Sequence, residues 1–319
     1  VSAAVAMDGR LVWSGAVGEA DLEDHTPATP ATRFRIGSVS KVLTAVALMR
    51  LREAGSLDLD VPIQTYVPSF PVKDGGAVTA RMLANHTSGL RHYQGREFLN
   101  QTHYVDMLTP LEIFSKDPLL SLPGVQFHYS SYGYNLLGAA IERASGQPFA
   151  TYMAERVLAP LDMTHTALDD NETILENRAR PYSFYDNGAY ARPQGPLVNG
   201  PYVDNSNKWA GGGFVSTPSD LTALGSALLK PGFLTRESLD LLFTPPMLNG
   251  QPSGYGMGFF VAKAPDGQRL FFHNGTAVGG SSTLMILPDR KTIVAITINA
   301  TRAPLTQADA LALAAIFAP

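Results

Sequence analysis

The segment FRIGSVSKVLTAVALMRLREAG, residues 34–55, is the part of the sequence that most constrains the fold. Its apolar side chains recur at helical spacing, which predicts a helix over residues 38–54. Gly55 follows at a position where a glycine commonly ends a helix. Because apolar residues fall on nearly every side, we expect this helix to be buried. The apolar positions are Val39, Val42, Leu43, Val46, Met49 and Leu51.

The start of this helix admits two interpretations. Ser38 and Lys41 form a Ser-x-x-Lys element, which occurs in one group of serine hydrolases. In the first interpretation, Ser38 is a helix N-cap and Lys41 is a surface lysine. In the second, Ser38 is a nucleophile and Lys41 is its base, since residues three apart share a helix face and burial lowers the pKa of a lysine. The backbone N–H of Ser38 would then stabilise an oxyanion at the helix end.

Strand patterns lie at both ends of the chain, and helical patterns lie between them. Residues 1–19 alternate around Asp8-Gly9, a favoured hairpin turn. Three further strand patterns precede a C-terminal helix, and they lie at residues 269–275, 281–288 and 291–300, with the turn at Pro288-Asp289-Arg290 and the helix at about 306–317. We therefore predict an α/β (α+β) fold in which both termini build one antiparallel sheet flanked by helices.

The order of these patterns also predicts the domain organisation. Residues 1–67 and 206–319 are expected to form the sheet domain. Residues 68–205, which include a helical pattern over 133–145 ended by Gly146, are expected to form a mostly helical domain. The active site is predicted to lie in the cleft between the two.

The composition excludes several classes of protein. The chain has 319 residues, is 45% hydrophobic and 16% charged, and carries a formal charge of −4, which gives no basic surface for nucleic acid or an acidic membrane. No apolar run comes close to the length of about 18 residues that a membrane-spanning helix needs. With no cysteine, disulfides, thiolate zinc sites and a thiol nucleophile are excluded. Because the first residues already have a strand pattern, we expect any signal segment to be missing from this sequence.

A second motif lies in PGVQFHYSSYGYNLLG, residues 123–138. With the Ser-x-x-Lys element, it resembles the serine β-lactamase-like superfamily of class C β-lactamases, D,D-carboxypeptidases, family VIII esterases and the mitochondrial β-lactamase-like type. The family motif here is Tyr-x-Asn, and the resemblance implies that Tyr129 is a general base or proton shuttle. Ser131 replaces the asparagine that touches a substrate amide. This replacement argues more against β-lactam processing than against nucleophilic catalysis.

The third family motif is Lys-Thr-Gly, or His-x-Gly in esterase-like members, and FFHNGTAVGGSS contains His273-Asn274-Gly275. The resemblance implies that His273 supplies a polar or cationic edge and that Gly275 keeps this edge open to the substrate backbone. It also implies that the Thr276 backbone N–H is the second oxyanion donor. The alternative is that His273, at the end of an apolar strand, is purely structural.

Two further stretches are similar to the same family, so the resemblance covers nearly the whole chain. In LANHTSGLRHY, residues 83–93, His86 and Ser88 are interpreted as turn-forming, with Gly89 as a hinge. In DNSNKWAGGGFVSTPSDL, residues 204–221, the three glycines 211–213 are expected to let the backbone pass close to the pocket. A phosphate-binding glycine loop is disfavoured because the strand–GxGxxG–helix order is missing.

Other site types lack their sequence signatures. There is no Gly-x-Ser-x-Gly elbow and no His-Glu-x-x-His, and the seven histidines show no metal spacing, so we expect neither a metal nor a cofactor. The pairs Asp58/Asp60 and Asp169/Asp170 are interpreted as solvated turns and not as a glycosidase pair. A literal Tyr-x-Asn at Tyr185-Asp186-Asn187 lacks the surrounding pattern and is interpreted as a chance match.

The sequence therefore predicts a serine hydrolase that works through an acyl-enzyme on esters or peptides, with weak β-lactam hydrolysis at most. One alternative is a true β-lactamase or D,D-carboxypeptidase. A second is an inactive scaffold or assembly protein of the same fold. The expected partner is a small ester, peptide or β-lactam-like substrate, the oligomeric state is left open, and the family suggests a periplasmic or secreted bacterial protein.

Overall fold

The computed structural model describes residues 1–184 and 195–317. Its strands are β1 (Ser2–Met7), β2 (Arg10–Ala16), β3 (Glu19–Asp21), β4 (Thr26–Pro27), β5 (Phe34–Arg35), β6 (Ala167–Leu168), β7 (Tyr182–Phe184), β8 (Leu197–Asn199), β9 (Phe214–Ser216), β10 (Met247–Leu248), β11 (Gln251–Pro252), β12 (Phe260–Lys263), β13 (Arg269–Ala277), β14 (Gly280–Leu287), β15 (Thr292–Ile298) and β16 (Ala300–Thr301). Its α-helices are α1 (Ser40–Glu53), α2 (Ala80–Ala84), α3 (Ser131–Ser145), α4 (Phe149–Met153), α5 (Trp209–Gly212), α6 (Pro218–Ala227), α7 (Arg236–Phe243) and α8 (Gln307–Phe317).

A six-stranded antiparallel sheet in the order β12-β13-β14-β15-β1-β2 forms the framework of the fold. Its last two strands come from the N-terminus and the other four from the C-terminal part of the chain, which confirms the predicted sheet. Asp8 and Gly9 both have positive φ, at 50° and 80°, as a type I′ hairpin turn requires.

The central strands are apolar on both faces because both faces are covered. On β14, Leu284 and Ile286 belong to the main core, which also contains side chains of α1 and α6, whereas Met285 belongs to the second core with α8. Ile293 and Val294 of β15 divide in the same way. Alternate side chains of a strand point to opposite faces, so a sheet covered on both sides needs nearly continuous apolar strands.

Helix α1 is the buried helix that the sequence predicted. Eleven of its residues are buried, and it packs against α3 and α5. It ends as expected, because Gly55 has φ of +70° and Ser56 N–H donates to the Leu51 carbonyl at 3.0 Å. Its start differs from the prediction, since a 3₁₀ turn over Gly37–Val39 replaces the first α-helical turn.

The remaining predicted helices are present with small shifts of their ends. Helix α3 begins at Ser131, two residues before the predicted start, because the Ser130 hydroxyl caps it by accepting the Gly133 N–H at 3.0 Å. It ends at Gly146, which has φ of +68°. The division into domains 1–67 plus 206–319 and 68–205 stays a prediction. None of the described helices has the length and apolar character that a bilayer crossing needs.

Candidate active site

Ser38 lies in the 3₁₀ turn that joins β5 to α1. Ile36 precedes this turn and Val39 precedes the helix, and neither uses a side chain as a cap. The interpretation of Ser38 as an N-cap is therefore wrong. The Ser38 side chain is partly exposed and lines a cavity of about 1160 Å³.

Lys41 is completely buried, so the surface-lysine interpretation is wrong as well. Its Nζ lies 3.1 Å from Ser38 Oγ and 2.9 Å from Ser131 Oγ, and it donates to the Gly211 carbonyl. In the described part of the chain, no carboxylate pairs with it. Burial lowers the pKa of Lys41 well below its usual value. The amine is therefore uncharged over a pH range in which an exposed lysine is an ammonium ion.

Tyr129 reaches this cluster from the loop before α3. Lys41 Nζ lies 5.0 Å from the centroid of the Tyr129 ring. Burial raises the pKa of Tyr129 by more than the nearby side chains of Ser38 and Ser131 lower it, so the phenol stays protonated. Ser131 is the first residue of α3 and lies on the cavity wall as well as beside Lys41.

Two histidines that sequence reasoning did not assign to the site hold the start of α3. Nδ1 of His86 accepts the Ser130 N–H at 3.1 Å, and Nδ1 of His92 accepts the Ser131 N–H at 3.2 Å. Both rings pack on Tyr129, with centroid distances of 4.3 and 5.5 Å. Desolvation lowers the pKa of His86 well below its usual value and that of His92 to about 4. Both imidazoles are thus neutral acceptors that fix the backbone beside Tyr129.

His273 also lies at the cavity and is neutral. Its Nδ1 lies 2.6 Å from the Asn274 carbonyl oxygen, which can only accept, so Nδ1 carries the proton. Its Nε2 then accepts from the Tyr255 hydroxyl at 3.0 Å. Desolvation, followed by the influence of Lys41, lowers the pKa of His273 to about 3. The sequence predicted a polar or a cationic edge at His273. A neutral imidazole favours the polar edge.

The end of β13 packs directly onto the turn that carries Ser38. A Cβ on Gly275 would lie 1.9 Å from the Ile36 carbonyl oxygen, and a Cβ on Gly37 would lie 2.6 Å from the Thr276 backbone. That Gly275 keeps the strand open to substrate stays a prediction. Its missing side chain also lets β13 approach the turn, which brings the Thr276 backbone close to Ser38.

One side of β13 borders the cavity beyond the end of β12. Strand β12 pairs with β13 only over Arg269 to Phe272. The following residues, from His273 to Val278, line the cavity, and Thr276 is exposed there. The backbone of this segment is placed where a substrate can reach it.

The glycine-rich stretch passes close to the site, as predicted. A Cβ on Gly211 would lie 2.9 Å from both the Ser131 carbonyl oxygen and Asn135 Oδ1. Sequence reasoning missed several residues on the cavity wall, and Tyr93 and Lys208 are two of them. Both lie inside quoted motif stretches. Their position within those motifs was the signal that could have identified them.

The remaining interpretations have mixed outcomes. Asp58 and Asp60 are exposed as expected, but Asp169 is 1% exposed and pairs with Arg35 at 2.7 Å and with Arg178. The solvated-turn interpretation is thus wrong for Asp169. Tyr185-Asp186-Asn187 lies outside the described residues. Within residues 1–184 and 195–317, no three His, Asp or Glu side chains form a group that could hold a metal ion.

Comparisons with known proteins identify the family. The family profile described as Beta-lactamase matches residues 1–317. The chain belongs to the β-lactamase family. The β-lactamase family belongs to a superfamily of serine hydrolases and has the fold of penicillin-binding proteins. This result confirms the family resemblance and the fold class that the sequence predicted.

Individual members of the β-lactamase family are similar over most of the chain. Human serine beta-lactamase-like protein LACTB, mitochondrial, is 34% identical over 89% of this chain and 68% of its own length. Penicillin-binding protein 4* of Bacillus subtilis is 30% identical over 90% of this chain and 65% of its own length. The structure of the octameric penicillin-binding protein homologue from Pyrococcus abyssi has a TM-score of 0.82 and 26% identity, and covers 99% of this chain and 72% of that chain. The chain thus spans about two thirds of the length of its curated relatives.

The Gly275→Ala substitution tests the contact between β13 and the turn. Because the new methyl group would overlap the Ile36 carbonyl, one of the two segments must move. We expect a stability loss of about 1–3 kcal/mol, typical of overpacking, together with loss of most hydrolase activity. Gly133→Ala is the control, since its Cβ would have no neighbour nearer than 3.6 Å. Equal melting temperatures and activities for the two variants would contradict the proposed role of this contact.

Proposed function

We propose that the protein is a serine hydrolase that forms an acyl-enzyme on Ser38. The observation that carries this proposal is the fully buried Lys41 amine, 3.1 Å from the Ser38 hydroxyl oxygen. A serine hydroxyl is a weak nucleophile until a base takes its proton, and a desolvated lysine is such a base. Ser38 is also accessible from the cavity, as a nucleophile must be.

The hydrogen bonds of Lys41 orient its lone pair. A neutral amine has two N–H donors and one lone pair, whereas Lys41 Nζ has three oxygen neighbours. The Gly211 carbonyl can only accept, so it takes one N–H. If Ser131 Oγ takes the other, the lone pair points at Ser38. Ser131 therefore supports the geometry of the base in addition to its predicted contact with substrate.

Tyr129 completes the proton path. Its raised pKa supports a protonated phenol, so we assign it as a proton shuttle and Lys41 as the base. Ser38 Oγ bonds to the substrate carbonyl carbon as its proton passes to Lys41, and the leaving group receives that proton through Tyr129. Water then attacks the acyl carbon, and its proton passes through Lys41 back to Ser38 Oγ, releasing the acid.

Two backbone N–H groups are suited to hold the oxyanion. The Ser38 N–H lies in the turn at the start of α1, and the Thr276 N–H lies on the segment of β13 that packs against this turn. Preorganised backbone donors at the reacting carbonyl oxygen are among the largest contributions to acyl-transfer catalysis. The close approach at Gly37 and Gly275 supports the placement of this pair.

The substrate is proposed to be an ester or a peptide. Compared with the family motifs, Ser131 and the neutral His273 replace an asparagine and a lysine, which argues against efficient β-lactam turnover. The alternative of a β-lactamase or D,D-carboxypeptidase draws on relatives such as penicillin-binding protein 4*. The scaffold alternative draws on the octameric homologue, although Ser38, Lys41 and Tyr129 in one cluster favour retained chemistry.

Hydrolysis of p-nitrophenyl butyrate tests the nucleophile and its base. We expect Ser38→Ala and Lys41→Ala each to lower kcat by at least about a thousandfold, and the double variant to be little worse, because residues acting as one unit are not additive. The exposed Ser56→Ala is the control and should retain full activity. Equal rates for wild type and Ser38→Ala would remove Ser38 from the mechanism. If wild type is inactive, absence of fluorophosphonate labelling on Ser38 would support the scaffold alternative.

The pH profile of kcat tests the division of roles between Lys41 and Tyr129. Since only the neutral lysine is a base, kcat should rise as pH increases through its lowered pKa, well below the ordinary value of 10.5. Tyr129→Phe should lower kcat by at least about tenfold, as loss of a general acid–base group does, but keep this rising limb. The exposed Tyr202→Phe should match wild type. A rising limb that disappears in Tyr129→Phe would instead make Tyr129 the base.

The preference for esters over β-lactams is measured with nitrocefin. Because Ser131 and His273 do not reproduce the polar side chains of the family motifs, we expect kcat/KM for nitrocefin to be at least about tenfold below that for the best ester, a difference of about 1.4 kcal/mol. Ser38→Ala supplies the background rate for both substrates. Nitrocefin turnover that rivals the best ester would overturn this preference in favour of a β-lactamase.

A further inference from the structure

The charged residues that line the active-site cavity all carry the same sign. They are Arg96, Lys208 and Arg302, and the lining contains no Asp or Glu among the described residues. The whole chain has 28 acidic and 24 basic residues. A cavity with only basic residues in a protein of net charge −4 favours an anionic ligand.

Lys208 is the buried member of this set, with 4% of its surface exposed. Its Nζ donates to the Phe98 carbonyl oxygen at 2.8 Å and lies 4.9 Å from the Phe98 ring centroid and 5.8 Å from that of Tyr93. In the described part of the chain, no carboxylate forms an ion pair with it. An ammonium group has three N–H donors, so two remain after the bond to Phe98.

The two carboxylates whose charges act on Lys208 are those of Asp169 and Asp204, and both are paired with other side chains. Asp169 pairs with Arg35 and Arg178, while Asp204 lies 3.0 Å from His103 Nδ1 and accepts from Ser206. Burial, followed by the positive charge of Arg35, lowers the pKa of Lys208 to about 7.

A buried lysine without a partner is energetically costly. Buried lysines are therefore commonly paired or functional. On β13, His273 stands where the family motif has a lysine, but it is neutral and both its ring nitrogens are engaged. The cation at the cavity wall is thus provided by another segment of this chain, at Lys208.

We propose that Lys208 is a specificity residue that binds a carboxylate group of the substrate, on a wall formed with Phe98 and Tyr93. This inference rests on the proposed hydrolase function of the same cavity. The two remaining N–H donors match the two oxygens of one carboxylate, and the adjacent rings offer apolar contact for the methylene chain that carries it. The protein would accordingly prefer acyl donors with a negative charge.

Two esters of equal acyl length test this proposal: mono-p-nitrophenyl adipate, which carries a carboxylate, and p-nitrophenyl hexanoate, which does not. The ratio of their kcat/KM values is compared in wild type, Lys208→Met, Lys208→Arg and the exposed-lysine control Lys116→Met. We expect wild type to prefer the adipate ester. In Lys208→Met the ratio should fall by at least about tenfold, as for loss of one charge-assisted hydrogen bond. Lys208→Arg should keep most of the preference, and Lys116→Met all of it.

The outcomes separate failure of this inference from failure of the proposed hydrolase. Turnover that depends on Ser38, with a ratio that Lys208→Met does not change, would overturn only the carboxylate site. A 3-carboxy-4-nitrophenyl hexanoate ester places the charge on the leaving group. A preference for that ester, lost in Lys208→Met, would assign the carboxylate to the leaving-group side.

Binding without turnover provides the second readout. Adipate should raise the melting temperature of wild type and of Ser38→Ala, while neutral adipamide should not, because only the dianion can bind the ammonium group. Lys208→Arg should respond like wild type even if Lys208→Met fails to fold. An equal response to adipate and adipamide would overturn the proposal, whether or not the protein hydrolyses esters.

Discussion

The burial of the Lys41 amine without a carboxylate partner is the constraint on which the rest of the site depends. In the apolar centre of the molecule, an ammonium ion would lose its hydration with no opposite charge to replace it. The neutral amine avoids that cost and keeps a lone pair. Its neighbours are two hydroxyl oxygens and one carbonyl oxygen, which suit the two N–H donors and the lone pair of a neutral amine. The same burial that stabilises the helix therefore prepares its lysine to act as a base.

The surroundings of this amine are neutral for the same physical reason. His86, His92 and His273 all lie near Lys41, and desolvation lowers the pKa of each imidazole. Tyr129 is kept protonated by burial. Polar but uncharged groups are less costly to bury than charges, because several charges in the same volume would repel one another or remain unpaired.

Whereas the groups at the centre of the site are neutral, the wall of the cavity carries basic side chains. Lys208 places its amine beside two aromatic rings, while the carboxylates that influence it are held by arginine, histidine and serine side chains. This arrangement separates two lysine roles within one cavity. Lys41 is surrounded by hydroxyl and carbonyl oxygens and serves the chemistry, whereas Lys208 faces a cavity whose described lining has no Asp or Glu and is suited to recognition.

The sequence by itself determined the buried helix α1, the sheet built from both termini, and Ser38, Lys41, Tyr129 and His273 as neighbours in one site. Periodicity and the Ser38–Lys41 spacing act over a few residues and carry the helix and its lysine, whereas the resemblance to the family motifs placed Tyr129 and His273 in the site. Three features required the tertiary structure: the use of Gly275 to admit Ile36, the histidine contacts at the start of α3, and the buried Asp169. Each depends on a partner far along the chain, and the charge state of a buried group depends on every neighbour that excludes water from it.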